Sequence, residues 1–227
     1  MIPPMKAREY MYILTALFVA AAITWAACHA QVLVPLNLKR RLKISMSGAV
    51  RTGDLLLFST SMCKTSDIQK LATASPFTHV GIAFVDRSGI PFVWESRVAS
   101  GYALNKLSSR LREPGEACMV RHLNKPVSPY ALETIIRAEL GTPYAFNFWR
   151  GLLSQWCSYV RVPEAAEDVG KCCSNMVADV YVRLRVMTIR ANQPGNSLMP
   201  GDFAKPEQPG DMLNGYEFSH NLYQLSL

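Results

Sequence analysis

The sequence predicts an α+β domain, and three observations carry that prediction. Apolar runs of strand length come first in the body of the chain, apolar residues at helical spacing come later, and turn residues separate them. With 227 residues and 49% hydrophobic content, the chain is large enough to bury a real core.

From Tyr10 to Leu38 there are 29 residues without Asp, Glu, Lys or Arg. That is enough to cross a hydrocarbon layer of about 30 Å, so 1–9 reads as a short tail, 10–38 as one transmembrane helix and 39–49 as a basic juxtamembrane linker. Tyr10 and Tyr12 suit an interfacial belt, whereas Trp25 sits too near the middle of the run. The competing reading is a signal peptide, with Lys6 and Arg8 as its basic start and cleavage after Ala30. The apolar run continues past that point, which favours the anchor. Lys39, Arg40, Arg41 and Lys43 outweigh Lys6 and Arg8, and the more basic flank stays cytoplasmic, so the body is expected to face the cytosol. Cleavage would instead make it secreted or periplasmic.

The net charge of +7 is concentrated around this segment. Residues 1–44 carry six Lys or Arg against one Glu, leaving eighteen basic against sixteen acidic residues on the rest. A nearly neutral body has no basic stripe for phosphates to follow, and nucleic-acid binding is set aside. The six cysteines, Cys28, Cys63, Cys118, Cys157, Cys172 and Cys173, show no C-x-x-C spacing. No metal and no cofactor are expected.

Gly53-Asp54 marks a turn before a buried strand ending at Thr60, and Ser66 with Gln69 forms a capping-box pattern for a short helix. His79–Val85 and Pro91–Ser96 read as a hairpin. If Arg87-Ser88-Gly89 is a three-residue loop with Gly89 at positive φ, paired positions have numbers summing to 176. Glu95 then lies opposite Gly81, one diagonal from His79 and on the same face. Ser128–Leu140 has Leu132, Ile135, Ile136 and Leu140 at helical spacing and ends at Gly141. Ser158–Gly170 reads as a surface loop, and the chain from Gln193 is rich in Pro, Gly and Asn.

A last helix begins near Cys173. Met176, Val177, Val180, Tyr181 and Leu184 share its apolar face, and stepping back from Val177 and Val180 reaches Cys173. Cys173 therefore faces inward and Cys172 flanks it. A thiol in a helix's first turn is stabilised as thiolate by the macrodipole and free N–H groups. Buried cysteine is also ordinary packing material, and the helix start alone favours that plainer reading. A nucleophile needs a base and the base an orienting group. Of the four histidines only His79 lies on a convincing strand of the body, and Glu95 is the carboxylate that the hairpin brings beside it.

Taken in order, Gly53-Asp54, Thr78-His79-Val80-Gly81-Ile82, Glu95 and Cys172-Cys173-Ser174-Asn175 resemble the permuted branch of the NlpC/P60 papain-like superfamily, within it the YiiX-like group. Gly141–Phe148 resembles that family's Gly-x-Pro-Tyr-x-Phe segment and Met199–Phe203 its Pro-Gly-Asp motif. Cys173-Ser174-Asn175 stands where the family has Cys-Ser-Glu, and the preceding Cys172 leaves a register shifted by one as the alternative.

The resemblance implies a circularly permuted papain-like domain over 50–205, an antiparallel sheet packed on helices, with 206–227 as a C-terminal tail. It implies Cys173 as nucleophile, His79 as general base and Glu95 as its orienting residue. The implied chemistry is thiolate attack on an amide or ester, through a thioester, to water or another acceptor. Substrates in such relatives are peptides, peptidoglycan or lipid acyl groups. The rival from another class is a catalytically silent, membrane-tethered scaffold or virion component that keeps the fold. A lipid-binding module resting on Lys39–Lys43 is a third.

Overall fold

The computed structural model describes residues 43–45, 50–60, 75–144, 171–189 and 198–226. The chain divides after Arg40, and all described residues belong to the second unit, Arg41–Leu227. The apolar span 10–38, the short helix expected after Ser66 and the loop 158–170 lie outside the described residues. Among those described, no helix is long and apolar enough to cross a membrane.

The described residues form a mixed structure of one large, mostly antiparallel sheet and a few helices, the α+β class. Its strands are β1 (Lys43–Ser45), β2 (Leu55–Thr60), β3 (His79–Val85), β4 (Pro91–Arg97), β5 (Gly101–Lys106), β6 (Glu116–Arg121) and β9 (Tyr223–Ser226). They lie side by side in the order β1-β9-β6-β2-β3-β4-β5. A small ribbon pairs β7 (Met187–Thr188) with β8 (Asp211–Met212). The helices are α1 (Leu107–Arg110), α2 (Pro129–Glu139) and α3 (Cys173–Arg183), with a 3₁₀ turn at Pro200–Ala204.

The centre of the sheet is dictated by β2. Leu55 to Phe58 is a continuous apolar run with every residue fully buried, as a strand covered on both faces requires. Leu55 and Leu57 enter the larger core with Met176, Val177, Val180 and Tyr181 of α3 and Leu132, Ile135 and Ile136 of α2. Leu56 and Phe58 point the other way, to Ala83, Val93, Leu107 and Cys118. Each Leu buried in this way contributes about 2 kcal/mol by transfer.

The β3–β4 hairpin has the expected register. Ile82 pairs with Trp94, Ala83 with Val93, Phe84 with Phe92 and Val85 with Pro91. Asp86 closes the loop, its Oδ1 accepting from the N–H of Ser88 and of Ile90, and Gly89 takes φ +77°. Helix α2 starts on the Ser128 side chain, which accepts from Ala131 N–H, and stops before Gly141 at φ +85°.

The sheet extends beyond the 50–205 range at both ends. Residues 43–45, within the stretch read as a basic linker, form edge strand β1, which pairs parallel with β9. Residues 223–226, within the stretch read as a tail, insert as β9 between β1 and β6. Short strands of this kind carry too few alternations to be seen in sequence. Buried Arg121 anchors the returning chain, donating to the carbonyls of Phe203, Pro206, Glu207 and Ser219.

Candidate active site

His79 is the first residue of β3, and Glu95 lies near the end of β4 on the same sheet face, as the register requires. Nothing but glycine fits at position 81 between them. A Cβ there would stand 2.6 Å from Val93 Cγ2, 2.9 Å from the Trp94 carbonyl and 3.3 Å from Glu95 Cβ. The bare backbone lets Glu95 reach across, and His79 Nε2–H donates to Glu95 Oε2 at 2.7 Å.

Glu95 is wholly buried and held by three elements. Asn105 Nδ2 of β5 donates to its Oε1 at 2.9 Å, and Arg110 Nε of α1 forms an ion pair with the same oxygen at 2.8 Å. Burial alone would raise the Glu95 pKa; the His79 hydrogen bond and charge, then Arg110 and Asn105, bring it below the ordinary carboxylate value. Arg110 is itself buried and also pairs with Glu113 and Glu116. Its guanidinium lies over the Phe58 ring, 4.7 Å from the centroid, and Phe58 backs the imidazole at 5.7 Å between ring centres.

Helix α3 brings the sulfur. Cys172 is its cap residue, in extended conformation, and Cys173 its first helical residue. His79 hydrogen-bonds Cys173, as do the backbone N–H groups of Val80 and Ser174. With Nε2 on Glu95, Nδ1 is the ring nitrogen left for the sulfur. Burial opposes thiolate formation, but the His79 charge and these hydrogen bonds bring the Cys173 pKa below the ordinary thiol value. Burial likewise lowers the His79 pKa, and Cys173 and Glu95 more than compensate, raising it to about 9. Both shifts favour the ionised pair, thiolate with imidazolium, over the neutral one.

The two neighbouring cysteines differ in chemistry, not in burial. Cys172, which the spacing sets beside the inward-facing Cys173, is as buried as its neighbour, 7% exposed against 6%. The difference is electrostatic: burial and the adjacent Cys173 push the Cys172 thiol up to about 11, and its Sγ meets Ser174 Oγ at 3.5 Å rather than a base.

Cys173 and His79 open on a cleft of about 320 Å³. Val98, Tyr144, Met199 and Pro200 give it apolar walls, and Arg97 and Glu116 a charged one. Tyr144, a residue of the Gly-x-Pro-Tyr-x-Phe segment, thus lies at the cleft. Asn105 and Arg110 went unread in the sequence. The alternation of Tyr102 and Leu104 with Ala103 and Asn105 signals β5, but a four-residue helix such as α1 leaves no periodic trace. Asp54 of the Gly-Asp turn stands apart from Cys173. Fully buried, it accepts from the N–H of Arg51 and of Leu123 and from His122 Nδ1 at 2.8 Å, which makes it a structural joint between β2 and the end of β6.

No family model matches the chain, and no curated protein matches it. Among solved structures, the crystal structure of metalloprotein yiiX from Escherichia coli O157:H7 aligns over 61% of this chain and 69% of that one, at 25% identity and a TM-score of 0.44. The word metalloprotein is said of that protein, not of this chain. Among the described residues of this chain, no three His, Cys, Asp or Glu side chains gather as a metal site would need.

Proposed function

We propose that the protein is a membrane-anchored cysteine hydrolase or acyltransferase of the permuted NlpC/P60 type, acting on an amide or ester through Cys173, His79 and Glu95. One observation carries the reading. The imidazole of His79 bridges a buried carboxylate at 2.7 Å and the sulfur of a helix's first residue, with a cleft open beside them. The apolar span 10–38 supplies the anchor, and its basic flank keeps the body on the cytosolic side.

The steps balance within these residues. The Cys173 thiolate attacks the acyl carbon, forming a C–S bond and a tetrahedral oxyanion. The His79 imidazolium protonates the departing amine or alcohol as its bond to carbon breaks, leaving a thioester. Neutral His79 then takes a proton from water or another acceptor, which attacks the thioester and releases the thiolate. Glu95 holds the ring throughout and stabilises its charged form. The Cys173 N–H, without an intrahelical partner at a helix start, is the first oxyanion donor. The Tyr144 phenol lines the same cleft. Burial first, and then the two cysteine sulfurs, raise its pKa, so it stays protonated and able to donate. Peptide, peptidoglycan or lipid acyl groups are the substrate classes for this chemistry.

A thiol-reactive probe tests the reading. At pH 7, iodoacetamide labels Cys173 at least about 100-fold faster than Cys118, a free thiol whose pKa burial raises, and Cys173→Ala removes the fast labelling. Equal, slow labelling of both would favour the silent scaffold.

A further inference from the structure

Lys171 precedes the two cysteines, and both of its backbone polar groups are taken by side chains of the sheet. Ser96 Oγ donates to the Lys171 carbonyl at 2.7 Å, and the Lys171 N–H donates to the Tyr102 hydroxyl at 3.1 Å. Ser96 and Tyr102 are both buried while Lys171 is exposed, so these bonds are partly shielded from water and a lost partner carries a cost. The peptide groups of Lys171 set where α3 begins and which way its first N–H groups point. Among the described residues no local side chain caps the helix start: Cys172 makes no side-chain cap bond, and the first turn carries no acidic residue.

Adjacent residues of a strand point to opposite faces. On β4, Glu95 holds the base on one face, while Ser96 on the other holds the backbone ahead of the nucleophile. Tyr102 is fixed in turn from β5, its N–H donating to the Thr142 carbonyl and its ring edge-on to Trp94. We propose that Ser96 and Tyr102 are positioning residues that hold Cys173 against His79, an inference that rests on the thiolate–imidazolium reading above.

The consequence has a definite sign. A sulfur that drifts from the imidazolium loses the attraction that favours its ionised form, so its acid limb of reactivity moves up. The titratable groups facing Cys173 are His79 from β3, Tyr144 from the segment after α2 and Cys172 on its own turn. Arg97, Arg110 and Glu116 stand on the same cleft, with Glu95 behind the imidazole. Substitutions at 96 and 102 leave all of these in place, and a shifted limb therefore reports geometry.

The experiment is iodoacetamide alkylation of Cys173 in the full chain in detergent, followed by peptide mass spectrometry from pH 4 to 9, with thermal unfolding recorded alongside. Ser96→Ala and Tyr102→Phe are each expected to raise the acid limb by about one pH unit, which is about tenfold slower alkylation at any pH on that limb. Ser96→Thr, which keeps the hydroxyl, restores the wild-type limb. Folded Ser96→Ala and Tyr102→Phe proteins whose limbs superimpose on the wild type overturn the proposal. Should Ser96→Ala fail to fold, Tyr102→Phe decides, since its ring still packs on Trp94. A wild-type Cys173 with ordinary, slow thiol reactivity would instead remove the hydrolase reading and this inference with it.

Discussion

Cys172 and Cys173 are one peptide bond apart and nearly equally buried, yet their thiols move in opposite directions. Cys173 has an imidazole and two N–H groups on its sulfur, and its pKa falls; Cys172 has a neighbouring sulfur and a hydroxyl, and its pKa rises to about 11. Cys172→Ser is therefore expected to leave alkylation at position 173 within a factor of about three at pH 7. Loss of the fast labelling in that variant would move the nucleophile to position 172. The base reports the same pair from its other side. An NMR titration of the His79 ring should place its pKa at about 9, and Cys173→Ala should lower it, because the anion that offsets burial has gone. Below about pH 9 the imidazolium is present and can protonate a leaving group; above it, that step fails as the ring loses its proton. The pairing of His79 with Glu95 was legible in the sequence on the condition of a three-residue loop, which Gly89 favoured and which fixes the register. Arg110 was not, because Glu95, the partner that ties it to the site, comes within reach only when α1 packs against β4.

Strand β3 and strand β4 place the base and its carboxylate by what is missing from position 81. Gly81→Ala puts a methyl against Val93 and the Trp94 carbonyl and pushes at Glu95 Cβ. Overpacking of this kind costs about 1–3 kcal/mol, read from denaturant unfolding, and the His79 titration should fall below about 9 as Glu95 is displaced. An unchanged ring titration in a destabilised variant would separate packing from positioning and count against this account of the glycine. Helix α3 behaved as its apolar spacing required, with Met176, Val177, Val180 and Tyr181 buried, and Cys173 followed them inward. Its start was not legible in the same way. It is held by Ser96 and Tyr102, 75 and 69 residues away in sequence, and no local cap announces it.

The large sheet is completed by residues 223–226. β9 gives β6 its second neighbour, and Arg121 gathers four carbonyls of the returning chain beneath the Phe218 ring. Burial lowers the Arg121 pKa only to about 10, so the guanidinium is charged at neutral pH. Arg121→Met leaves those carbonyls without their donor and should cost more than about 3 kcal/mol in denaturant unfolding. Truncation after Lys205 should expose the β6 edge and give an aggregated or unfolded protein by size exclusion and thermal unfolding. A monomeric, cooperatively melting product would show that the sheet does not need β9.

By itself the sequence determined the quantities that depend on near neighbours. Turn chemistry set the hairpin register, apolar period set the inward face of α3, and an unbroken apolar run set β2 at the centre of the sheet. These follow from local sterics and side-chain direction, which a single strand or helix expresses alone. The tertiary structure decided what depends on distant chain segments meeting: the burial of both cysteines, the Arg110 contacts behind Glu95, the clamp on Lys171 and the insertion of β9. Each of those depends on segments that meet only in the folded chain, and the polar contacts among them strengthen as the surrounding core excludes water.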